Sequence, residues 1–110
     1  MFEKPEQLQQ ALIQLYPPFS EEVEDDYDEL YNPLTYHLIW MEFSPVAYDF
    51  LSKASTRQLK EFCSVIERSM AGGENQANAV STCLLEHGTQ LSVKKFIKPY
   101  LSEAANKELI

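Results

Sequence analysis

The chain has 110 residues and a mass of 12.7 kDa, enough for one domain with one core and too little for a catalytic domain joined to a regulatory one. Apolar residues make up 45% and aromatics 12%, which supplies the volume for a core and argues against disorder. Nine basic residues stand against seventeen acidic ones, net −8. A nucleic-acid binder or a protein that lies on an anionic membrane needs a basic footprint, so neither contact is expected.

The imbalance is uneven. Residues 1–50 carry one basic and eleven acidic side chains, whereas residues 51–110 carry eight and six. No apolar run approaches the roughly 18 residues that cross a bilayer, and the start lacks the basic and apolar regions of a signal peptide. Cys63 and Cys83 sit twenty positions apart in apolar helical patterns, outside any Cys-x-x-Cys unit, and are expected to be reduced, buried thiols of a cytoplasmic protein.

Sustained two-residue alternation is absent and only three glycines occur, which predicts an all-α fold: a single domain, 1–110, of about six to seven short helices, with stacked helical hairpins as one possible arrangement. The first helix is predicted from Pro5 through Leu8, Leu12, Leu15 and Tyr16 to the stop at Pro17-Pro18, its other face being Gln and Glu. Ser20 is predicted to cap a second helix with Val23, Tyr27, Leu30 and Tyr31 on one stripe. After Asn32-Pro33, Leu34 to Phe43 is apolar on nearly every side, as befits a central helix. Ser44-Pro45 reads either as a cap and first-turn proline that open a short helix through Leu51 or as a kink within one long helix, and the break is preferred.

Ser55 and Gln58 have the spacing of a capping box, with Leu59, Phe62, Cys63, Ile66 and Met70 continuing inward, and Gly72 and Gly73 supply a left-handed terminator. The next helix is predicted from about Glu74 to His87, with Ala77, Val80, Cys83 and Leu84 inward and a stop at Gly88. Ser92 and Ser102 are predicted to start two short terminal helices, separated at Pro99.

No nucleophile-and-base pair, metal cage or phosphate cradle appears as a motif. His37 and His87 lie fifty positions apart and belong to no His-Glu-x-x-His unit. Asp25, Asp26 and Asp28 look like half a calcium loop without its turn glycine. No cofactor and no metal are expected. A hydrolase assembled from distant residues such as His37, Ser44 and Asp49 has no motif behind it.

The feature left over is the run Glu21, Glu22, Glu24, Asp25, Asp26, Asp28 and Glu29, interleaved with Tyr27 and Tyr31. Like charges at i, i+3 and i+4 repel by a few tenths of a kcal/mol per pair, so helix stability alone would favour interspersed lysines. Negative field with amphipathic aromatics suits docking on a basic protein. The bland alternative is a solvated helix face with the tyrosines in the core.

Leu59 to Gly73, then Asn78 to Glu86, then Phe96-Ile97-Lys98-Pro99-Tyr100-Leu101 carry a resemblance of the stretch from Leu34 to Leu109 to a family of small acidic helical bacterial immunity proteins from contact-dependent growth inhibition and related polymorphic toxin systems. The resemblance covers about two-thirds of the chain and includes no part of residues 1–33. It implies a cytoplasmic protein, not an enzyme, that binds the C-terminal domain of a cognate toxin and blocks its active site, with Asn78 and Glu86 in structural roles. Many such toxins are nucleases with basic clefts. The partner-binding residues, Glu21 to Glu29 with Tyr27 and Tyr31, come from the charge pattern and not from the resemblance. A non-enzymatic helical adaptor is the competing function, and the sequence leaves the oligomeric state open, with a monomer preferred.

Overall fold

The computed structural model describes residues 2–23 and 34–109. Its helices are α1 (Pro5–Leu15), α2 (Tyr36–Lys53), α3 (Thr56–Met70), α4 (Glu74–Cys83), α5 (Lys94–Ile97) and α6 (Glu103–Glu108). Short 3₁₀ turns cover Pro17–Glu21, Leu85–His87 and Lys98–Tyr100. α4 packs against both α2 and α3, α1 touches the same pair, and α5 and α6 each pack on α3, α6 also meeting the Leu85–His87 segment. The result is a single-domain, all-α bundle. Its radius of gyration, 13.0 Å, equals that of a closed domain of this length, about 13 Å.

The core is centred on α2. Ile39, Trp40, Phe43 and Ala47 are fully buried, and Phe43 stands among four aromatic rings, with centroids of Phe19 at 5.0 Å, Phe62 at 5.6 Å, Phe50 at 6.1 Å and Trp40 at 6.3 Å. Most of these pairs are tilted or edge-on, the arrangement that aligns ring edges with ring faces. Leu8 and Leu12 of α1 and Phe62 and Ile66 of α3 complete the centre.

Several predicted elements need correction. Ser20 lies within the Pro17–Glu21 turn and starts no helix there; the remainder of that predicted helix falls outside the described residues. The predicted break at Ser44-Pro45 does not occur, because Pro45 lies inside α2. Proline removes one helical hydrogen bond, to the carbonyl of Met41, but Pro45 is exposed, so that loss falls on the solvent side. On the inner side the Ser44 hydroxyl donates to the carbonyl of Trp40 or to that of Cys83 in α4, each at 2.7 Å. Restoring the missing donor with Pro45→Ala is expected to raise stability by about 1–2 kcal/mol, after allowing for the extra freedom of the unfolded chain. Urea unfolding checks it.

The capping box at the head of α3 is formed, with Ser55 and Gln58 each accepting from the other's backbone N–H. Ser102 caps α6, while Thr35 caps α2. Ser92 does not cap α5; it adopts a positive φ of 58° just before it. α4 ends at Cys83, four residues short of the prediction, and buries Gln76, Ala79, Val80 and Ser81, whereas Ala77 is half-buried. The first helix also buries Gln9 beside its leucines.

The glycine pair works differently from expectation. α3 ends on Ala71 in ordinary helical geometry, and Gly73, at φ +93°, supplies the left-handed residue that starts α4. Gly72 is needed for room: a Cβ there would stand 2.2 Å from Gln76 Oε1. That amide is occupied. Gln76 accepts from the Phe2 N–H at 3.1 Å and donates through Nε2 to the Phe2 carbonyl at 2.6 Å, which also receives the Tyr36 hydroxyl at 3.1 Å. The Phe2 ring is buried beneath the Arg68 guanidinium, 4.1 Å from the ring centroid.

Candidate functional site

The acidic run begins where α1 turns into the Pro17–Glu21 segment. Pro17 and Pro18 preset the tight backbone, and Phe19 drops into the core as an anchor. Glu21 and Glu22 follow, both exposed. Leu34, buried, is the first described residue on the other side of the run. Glu24, Asp25, Asp26, Tyr27, Asp28, Glu29 and Tyr31, the rest of the predicted docking face, lie outside the described residues. Of the tyrosines flanking them in sequence, Tyr36 is buried and bound to Phe2, and Tyr16 is half-buried.

Tyr16 extends the acidic edge onto α2. Its hydroxyl donates to the Asp49 carboxylate, and Lys53 Nζ sits 3.0 Å from the same group. The hydrogen bond to Asp49 raises the Tyr16 pKa, helped by slight burial and by the charges of Asp49 and Glu22. The same bond, followed by Lys53, lowers that of Asp49. Asp49 therefore stays ionised in mildly acidic solution with its charge offset by Lys53, and the negative field of this edge comes from Glu21 and Glu22.

The residues of the hydrolase reading are not brought together. The Ser44 hydroxyl is turned to backbone carbonyls, Asp49 is bound to Tyr16 and Lys53, and His37 Nε2 meets Asn78 Nδ2 at 3.2 Å. Asn78 Oδ1 in turn accepts from Thr82 at 3.2 Å, so Asn78 links α4 to α2, the structural role expected of it. Cys83 points its thiol at the His37 carbonyl, 3.7 Å away. Burial and then Glu86 push that thiol's pKa up, the opposite of what a nucleophile needs. Both cysteines are free. Among the described residues no cluster of three or more His, Cys, Asp or Glu could hold a metal ion, and no helix is long and apolar enough to cross a membrane.

Two surface features escaped the sequence reading. Met41, Pro45, Tyr48 and Ser52 recur at helical spacing along the outer face of α2, with Met41 61% and Tyr48 48% exposed; of these only Met41 belongs to the Leu34–Phe43 run that reads as apolar on nearly every side. The second is an open groove of about 490 Å³ lined by Gly88, Thr89, Ser92, Lys94, Lys95 and Lys98. Three lysines within five positions, in a chain with nine basic residues, were its signal.

The family described as Domain of unknown function (DUF7674) matches residues 10–109. No curated protein and no solved structure matches the chain.

Proposed function

The chain belongs to the DUF7674 family, a domain of unknown function, and we propose that it acts as an immunity protein, a non-catalytic cytoplasmic inhibitor that binds a cognate toxin domain. The observation that carries this reading is the concentration of seven carboxylates between positions 21 and 29, opened by the exposed pair Glu21 and Glu22 next to the buried anchor Phe19. Such a field draws in a basic cleft, and carboxylates can occupy the positions that a nuclease reserves for substrate phosphates. Tyr27 and Tyr31 add contact area of the type that anchors interfaces.

The resemblance of residues 34–109 to toxin-immunity proteins supports the same partner class. The test is co-expression with toxin domains encoded nearby, scored by survival and by a complex on gel filtration. Protection by the native chain is expected, and the variant with Glu21, Glu22, Glu24, Asp25 and Asp26 all changed to Lys is expected to bind at least about a hundredfold more weakly, mainly through slower association at low salt. Unchanged protection by that variant rejects the acidic face. A complex without protection would favour the adaptor function.

A further inference from the structure

The outer face of α2 has opposite charge on its two sides. On one side Tyr48 stands edge-on to Phe96, ring centroids 5.9 Å apart, and Lys95 Nζ lies 5.1 Å from the centre of the Phe96 ring. Beyond it the groove carries Lys94, Lys95 and Lys98. Among the described residues these lysines form no ion pair. On the other side Asp49, the very next residue and itself paired with Lys53, meets Tyr16, which feels the charge of Glu22, so this edge is acidic through the exposed Glu21 and Glu22. Between the two edges run Met41, Pro45, Tyr48 and Ser52, exposed and apolar apart from the last.

From this arrangement we infer that the α2 face is a docking surface for a second copy of this chain, related by a two-fold axis running along α2. The charge order selects that axis. Rotation about the helix direction swaps left and right, so the acidic edge of each copy faces the lysine groove of the other, and each stripe residue meets its own counterpart. An antiparallel pairing would set acid against acid. Two exposed large apolar side chains per copy and a net charge of −8 place the contact among small, transient interfaces, with dissociation constants of roughly 10–500 µM. The acidic edge is shared with the proposed toxin-docking face, on which this inference in part rests, so toxin and second copy compete for it.

The test is sedimentation equilibrium of the full chain up to ~0.5 mM, using two charge variants. Lys94→Glu/Lys95→Glu/Lys98→Glu and Glu21→Lys/Glu22→Lys are each expected to weaken self-association at least about tenfold, while an equimolar mixture associates within about threefold of the native chain. Both variants remain net negative, so recovery on mixing reports local complementarity and not bulk attraction. Met41→Cys is expected to form a disulfide-linked dimer under mild oxidation, as the parallel axis requires. A native chain that is monomeric throughout, a mixture that fails to recover, or a dimer in which Met41→Cys does not cross-link overturns the inference. The lysine variant is expected to keep its protection against a cognate toxin, so loss of self-association and loss of the proposed function are read separately.

Discussion

Phe43→Ala is expected to lower the unfolding free energy by about 3–5 kcal/mol, a large share of the roughly 5–15 kcal/mol that holds a domain of this size. The effect is large because the ring has no solvent-facing side. It is fully buried and shared by Phe19, Trp40, Phe50 and Phe62, which come from three separate parts of the chain. Truncation removes the packing of all four and leaves a void that rigid helices fill only in part. Phe43→Leu, which keeps most of the volume, is expected to cost clearly less. Trp40 is the single tryptophan and is fully buried, so its fluorescence follows the urea transition directly.

Gln76→Ala is expected to cost about 2–3 kcal/mol, more than most polar-to-alanine changes. The Gln76 amide serves both the N–H and the carbonyl of Phe2, at a buried position, and alanine leaves the N–H without a partner while Tyr36 still reaches the carbonyl. Gln76→Glu provides the sharper comparison. It retains an acceptor for the N–H but places a second oxygen against the Phe2 carbonyl, so it is expected to be at least as damaging above the carboxylate pKa and to recover as the side chain is protonated. Thermal unfolding at neutral and acidic pH, referred to the native chain, checks both.

The residues read correctly from sequence are those whose signals are local. The Ser55 and Gln58 box, the Ser102 cap, Pro5 at the head of α1 and the inward Leu8, Leu12, Phe62 and Ile66 all depend on partners within a turn or on simple periodicity. Three of the corrections, at Pro45, Gly72 and the Gln76 contact, involve partners far along the chain, whereas those at Ser20, Ser92 and the end of α4 are local. Pro45 reads as a breaker until Ser44 is seen to reach Cys83, 39 residues away. Nothing near Gln76 in the sequence announces its bonds to Phe2, 74 residues away, and Gly72 reads as a terminator until the same amide is found filling its space. The candidate site was legible as charge. Its geometry was legible only at Glu21 and Glu22, because the remainder of the acidic run lies outside the described residues.

The bundle also contains a clock of its own openings. Cys63 is buried in α3, its thiol directed at the Ile97 carbonyl, 3.6 Å away, and burial with the nearby Glu67 pushes its pKa up to about 12. In the closed state it presents almost no thiolate to a reagent, so alkylation waits for α5 to lift away or for the whole fold to open. The rate of its modification therefore counts how often that happens in native buffer, without denaturant and without any substitution.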